Sequence, residues 1–203
     1  MPQIAFDDWS PLTLEQTVAL FEGAPFTWFI AGGYAVELFL GHSIRDHSDM
    51  DVVIFRDEQL AAQAWMTGWQ LYAADPPGTL RPWLKDEFLP FGVHNIWGHR
   101  EGKQHWEMQF MVAESDGERW FARFDEGIGG LRDTLFTIYG GVPCIRIEVQ
   151  LLYKCRRPRP KDELDFAACL PLLSSDQRQW LASHIRRLFP DGHPWLKELN
   201  IMC

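Results

Sequence analysis

Two aspartates one residue apart, Asp49 and Asp51, head an apolar run, Asp49-Met-Asp-Val-Val-Ile-Phe55. In an extended strand, residues i and i+2 point to the same face, so both carboxylates converge on one spot at a strand end. Ahead of them, Gly32-Gly33 closes a second apolar run, Thr27-Trp-Phe-Ile-Ala31. A glycine pair that turns a strand into a helix leaves backbone N–H groups open to an anion. Paired carboxylates beside such a turn can hold a divalent cation against phosphates, the arrangement that nucleotidyl transfer requires.

A third carboxylate should come from a neighbouring strand. In the stretch Gln104 to Ala113, Glu107 and Gln109 share one face while Trp106, Met108 and Phe110 share the other. An acid in so apolar a strand is costly unless paired or liganded. Glu107 is therefore the third candidate, with a cross-strand pair to Lys103 or Arg123 as the competing account. Arg45 is placed either near phosphate or in a pair with Asp46 or Glu37, and Lys154 either near phosphate or in solvent. Lys161 and Asp165 stand four apart, which a plain helical ion pair explains. His47 precedes Ser48-Asp49 and either orients an aspartate or is a turn residue. His94, His99 and His105 lack metal-ligand spacing. Trp83, Trp97 and Trp106 read as packing residues before stacking ones.

These side chains need elements to hold them. Thr13 and Gln16 have capping-box spacing for a first helix carrying Leu14, Val18 and Phe21 on one face. Strand-like Thr27 to Ala31 precedes a helix over Tyr34 to Leu40, stopped by Gly41. The second strand runs from Asp49 to Phe55, and Asp57 caps a helix through Thr67. Trp69 to Ala73, Gly92 to His99 and Gln104 to Ala113 read as strands, the last two joined by a turn at Glu101-Gly-Lys103. Trp120 to Phe124 and Thr134 to Ile145 add short strands around Gly140-Gly141. Helices follow over Ile147–Cys155, Lys161–Leu173 and Asp176–Phe189, the first two parted by Arg157-Pro-Arg-Pro160. The expected architecture is α+β: a mixed sheet with flanking helices over residues 1–145, then a small helical lobe over 146–203.

Composition bounds the function. At 203 residues, with 46% hydrophobic and 23% charged residues, the chain can bury a core. A net charge of −9 argues against nucleic acid as the main partner, although Lys154-Cys-Arg-Arg-Pro-Arg-Pro-Lys161 is a local basic cluster. Cys144, Cys155, Cys169 and Cys203 show no CxxC spacing and fit free thiols of a reducing cytoplasm. Neither a signal peptide nor a membrane-spanning run is visible, so a cytoplasmic protein is expected.

Ala31-Gly-Gly-Tyr-Ala-Val-Glu-Leu-Phe-Leu-Gly41 followed by Arg45-Asp-His-Ser-Asp-Met-Asp51 resembles the nucleotidyltransferase superfamily of DNA polymerase beta. It is most similar to the aminoglycoside and lincosamide branch, whose pattern is Gly-Gly-Trp-Ala-x-Asp and then Arg-x-His-x-Asp-x-Asp. Tyr34 stands where many members have Ser or Trp, Glu37 where relatives often carry Asp, and Glu107 replaces the more usual Asp. The resemblance implies a nucleotidyltransferase-like fold. It implies that Asp49, Asp51 and Glu107 ligand magnesium, with two ions expected, and that Gly32, Gly33, Arg45 and Lys154 meet a nucleoside triphosphate. A small hydroxylated acceptor, such as an aminoglycoside-like antibiotic, would attack the α-phosphate while Glu107 accepts or orients its proton. The alternatives are an enzyme of the same fold acting on tRNA or protein, and a non-catalytic nucleotide-binding module.

Overall fold

A computed structural model describes residues 4–199. The elements in chain order are α1 (Leu14–Leu20), β1 (Trp28–Ile30), α2 (Gly32–Leu40), β2 (Asp51–Phe55) and α3 (Gln59–Trp65). Then come β3 (Trp69–Ala73), β4 (Arg81–Pro82), β5 (Asn95–Arg100), β6 (Met108–Ser115), β7 (Arg119–Ala122) and β8 (Asp125–Leu131). The strands β9 (Phe136–Tyr139) and β10 (Val142–Ile145) lead into α4 (Ile147–Cys155), α5 (Pro160–Cys169), α6 (Ser175–Leu188) and α7 (Trp195–Glu198). The backbone of the sheet is ordered β4-β3-β5-β6-β2-β1-β10-β9, with β7 and β8 continuing from β6. Pairs β1–β10 and β2–β6 are parallel and the other pairs antiparallel, so the sheet is mixed and the fold α+β.

Local chemistry sets the helix ends near the site. Thr13 and Gln16 form the reciprocal capping box that starts α1. Gly41 ends α2 in the left-handed region at φ 77°, which glycine adopts without a Cβ penalty. A Pro at the first turn starts α5. Phe29, Ile30, Val52, Ile54, Phe55 and Phe110 are fully buried, so the strands that carry the two motifs run through the core.

Several expected boundaries shift. Strand β2 begins at Asp51, which leaves Asp49 on the incoming loop, and β4, β8 and α7 are additional elements. Asp57 does not cap α3: it lies in a 3-10 turn, Arg56–Glu58, and its carboxylate meets Arg132 at 2.6 Å. The helix expected to reach Leu173 ends at Cys169, and a 3-10 turn over Leu170–Leu172 follows. Cys144, Cys155 and Cys169 are buried free thiols, and burial pushes the last two up to about 12. Cys203 lies outside the described residues. Trp83 and Trp106 are core side chains. No helix among the described residues is long and apolar enough to cross a membrane.

Candidate active site

Strand β1 delivers the glycine pair and β2 delivers Asp51, and the two strands are antiparallel neighbours, with Ile30 opposite Val52. Ala31 N–H donates to the Asp51 carbonyl at 3.0 Å, which locks the turn against the aspartate. Gly32 sits at φ +66°, and a Cβ there would stand 2.2 Å from Asp51 Oδ2. Both the backbone angle and the space therefore demand glycine. Gly33 is needed for a different reason: a Cβ would meet the His47 ring at 2.2 Å and an Arg45 nitrogen at 2.7 Å. The pair seats the aspartate on one side and the loop before β2 on the other.

Gly32→Ala is expected to lower stability by roughly 2 kcal/mol or more, since the left-handed conformation alone costs ~1–2 kcal/mol outside glycine. Thermal melting reads this directly, and a variant that melts with the wild type would contradict the crowding.

Asp51 is mostly buried, and its pKa is raised to about 7. Desolvation is the main cause, the Asp49 charge adds to it, and Lys154, Lys161 and Arg159 oppose it. Two carboxylates that repel one another, one of them lining a cavity, are suited to a bound cation, which would remove that repulsion. Magnesium needs only one or two protein carboxylates when phosphates and water complete its shell, so Asp49 and Asp51 fit it.

The third carboxylate is not brought to this pair. Gln109, not Glu107, lies opposite Asp51 in the parallel register. Beside Glu107 the N-terminal segment intrudes: Leu12 N–H donates to the Glu107 carbonyl at 2.9 Å, and Trp9 bridges Trp106. That segment takes the edge a longer β2 would have used. The Glu107 carboxylate, almost fully buried, turns instead to Arg100. It accepts from Arg100 N–H at 2.7 Å and from its Nε at 2.9 Å. Although burial pushes the other way, the Arg100 bonds hold Glu107 below its ordinary value. The partner is thus Arg100 rather than the Lys103 or Arg123 expected from sequence. Among the described residues, no three acidic, histidine or cysteine side chains gather as a metal cluster.

Arg45 and Lys154 are likewise engaged. Arg45 grips Asp165 with two parallel bonds, both 2.9 Å, in place of the expected Asp46 or Glu37 carboxylate. Lys154 is buried, not solvated, and its Nζ lies 2.9 Å from Asp162 and 2.8 Å from Asp165. Asp165 therefore serves Arg45 and Lys154, and the expected pair with Lys161 is not formed. His47 does not orient an aspartate. Its Nδ1 faces Arg45 at 3.0 Å, so it accepts there, and its Nε2 lies 2.9 Å from Glu37 without hydrogen-bond geometry.

The free cations are elsewhere. A cavity of about 450 Å³ opens at Gly32 and Asp51, and Arg123, Arg156 and Arg157 line it with Lys154 and Arg159. Arg159 is neutralised by Asp162 at 2.8 Å. Among the described residues, Arg123, Arg156 and Arg157 form no carboxylate pair. Burial and the charges of Arg123 and Arg157 lower the pKa of Arg156, which marks uncompensated positive charge. Arg156 packs over Phe124 and Arg123 over Tyr153, at 4.1 and 5.9 Å. The sequence showed Arg156 and Arg157 only as part of a basic run, and Arg123 only as a candidate partner of Glu107, because β7 and its turn bring it to the cavity from another part of the chain.

This arrangement, a glycine turn seating an aspartate of the adjacent strand in a mixed sheet, is the nucleotidyltransferase fold, and the chain adopts it. Residues 13–67 match the family model of aminoglycoside-2''-adenylyltransferase. Among solved structures, the lincosamide antibiotic adenylyltransferase LnuA, bound to lincomycin, aligns with a TM-score of 0.52 and 18% identity, covering 78% of this chain and 97% of its own. ANT(2'')-Ia in complex with adenylyl-2''-tobramycin aligns with a TM-score of 0.51 and 15% identity, covering 86% and 96%. No curated protein matches the chain by sequence.

Proposed function

We propose that the chain is a nucleotidyltransferase that moves a nucleoside monophosphate, by preference adenylate, from a triphosphate to a hydroxyl of a small antibiotic-like acceptor. The observation that carries this reading is the cavity in which Asp51 and Gly32 meet three arginines without carboxylate partners. Three clustered guanidinium groups without a counter-charge, Arg156 and Arg157 exposed and Arg123 half-buried, attract an anion, and a triphosphate supplies several charges in one short chain. The family match over residues 13–67 supports the adenylyl and aminoglycoside parts of the proposal.

Magnesium, when bound, would neutralise phosphate charge and align the reacting oxygens. Asp49 and Asp51 would hold it. Arg123, Arg156 and Arg157 would bind the phosphate tail and stabilise the pyrophosphate as it leaves. The acceptor oxygen forms a bond to the α-phosphorus while the bond from that phosphorus to the bridging oxygen of the β-phosphate breaks. The hydroxyl proton departs toward the carboxylate side of the site, where Asp49 and Asp51 stand. Glu107, buried and ion-paired, would support the β5–β6 connection, and it would have to leave Arg100 to join them.

Purified protein is incubated with magnesium, each labelled triphosphate, and a panel of aminoglycosides, lincosamides and tRNA. Acceptor-dependent pyrophosphate release that disappears in Asp49→Asn supports the proposal. Release that requires tRNA moves the acceptor to a macromolecule. Absence of triphosphate binding by calorimetry overturns transfer altogether.

A further inference from the structure

The first N–H of α2 is not free. Gly32 N–H donates to Gln150 Oε1 at 2.8 Å, from a side chain 118 residues later on α4. The N-cap residue Ala31 offers no side-chain bond, so Gln150 is the cap of this helix from outside it. Gln150 is itself buried, yet it lines the cavity alongside Asp51 and Lys154. With Oε1 committed to an N–H, the other end of the amide must be the Nε2 donor. Among the described residues no hydrogen bond satisfies that donor, and it is not sealed off as a buried orphan.

We propose that Gln150 is a positioning residue that relays the α2 N-terminus to the phosphates: Oε1 takes up Gly32 N–H, and Nε2 presents a donor to a phosphate oxygen in the cavity. The inference rests on the nucleotidyl-transfer reading of that cavity. A helix N-terminus attracts anions through its unpaired N–H groups. Here Asp51 Oδ2 lies 2.2 Å from where a Gly32 Cβ would stand, so an anion brought close to this residue would sit near a carboxylate. An interposed amide passes the donor character outward and keeps the phosphate clear of Asp51. The same bond fixes α4, which carries Lys154, to the glycine turn.

The test uses the full chain with two substitutions of different kind. Gln150→Glu keeps an acceptor for Gly32 N–H but removes the outward donor and adds negative charge. Gln150→Leu removes both bonds. Binding of ATP with magnesium and of tripolyphosphate without it is measured by calorimetry, with melting temperature and acceptor KM alongside. The relay predicts that Gln150→Leu weakens both ligands by about tenfold, the loss of one charge-assisted hydrogen bond. Gln150→Glu weakens them more while melting near the wild type, and in both variants acceptor KM stays put. If Gln150→Leu binds either ligand as tightly as the wild type or tighter, the amide merely plugs the helix end and the relay is wrong. A fall in melting temperature with unchanged affinity also overturns it. If the wild type binds neither ligand, the nucleotide reading itself has failed, a result distinct from any difference between variants.

Discussion

Asp51→Asn should abolish transfer and at the same time make the protein more stable at pH 8, by about 2 kcal/mol in metal-free buffer. The carboxylate is desolvated and faces Asp49, so its pKa in the fold is raised to about 7, well above the ordinary aspartate value. A group whose folded pKa is raised favours the fold while protonated. The unfolded chain loses that proton near pH 4 and the folded chain only near 7, so stability declines as pH rises across this window. A change of that size is worth about 4 kcal/mol in full, and residual solvent contact reduces it to roughly half. The neutral amide escapes the penalty. Urea unfolding in EDTA at pH 5 and pH 8 reads both arms: the gain should be small at the lower pH and reach its full size at the higher. Equal stability of variant and wild type at pH 8 would mean that Asp51 is not strained by its charge. Loss of activity accompanied by a gain in stability is the signature of a residue kept for chemistry rather than for the fold.

The second large effect has the opposite sign. Asp165 is fully buried and serves two cations, Arg45 at 2.9 Å and Lys154 at 2.8 Å. Asp165→Ala would leave Arg45 unpaired and Lys154 with Asp162 alone, and should cost about 3–5 kcal/mol, the range for breaking a buried ion pair on one side. Despite burial, bonds from Arg45 and Lys154 hold the Asp165 carboxyl below its ordinary value. Asp162 is held low in the same way by Arg159 and Lys154. Stability from these two groups is present above about pH 4, the unfolded carboxylate value, and is lost as the pH falls through their lower folded values. Acid unfolding of the wild type should therefore begin below pH 4 and be displaced toward neutral pH in Asp165→Ala. A variant within 1 kcal/mol of the wild type in urea would refute the account.

The motif residues were readable because their spacing is short. Gly32-Gly33 follows one strand and Asp49-x-Asp51 leads into the next, and alternation alone predicts that Asp51 faces the turn. The helices α4, α5 and α6 and the Gly140-Gly141 hairpin were legible for the same local reason. What escaped was set by long-range pairing. Trp9 to Leu12 occupy the edge beside Trp106 and Glu107, which no local pattern announces, so Glu107 meets Arg100 rather than the aspartates. Likewise Asp165 looked like half of a helical pair with Lys161, although its real partners come from the loop before β2 and from α4. Charged side chains choose partners by burial, and burial is a property of the whole fold.

The three unpartnered arginines sit in a protein whose net charge is −9. Fields from exposed charges fade over ~8 Å at physiological ionic strength. A long polyanion would extend beyond the cavity over a protein whose net charge is negative, where added repeats meet net repulsion. A triphosphate is short enough to fall within the arginines' own reach. If the cavity takes phosphates as proposed, it should favour short phosphate-bearing compounds over long ones, and added salt should narrow that gap by screening the exterior first.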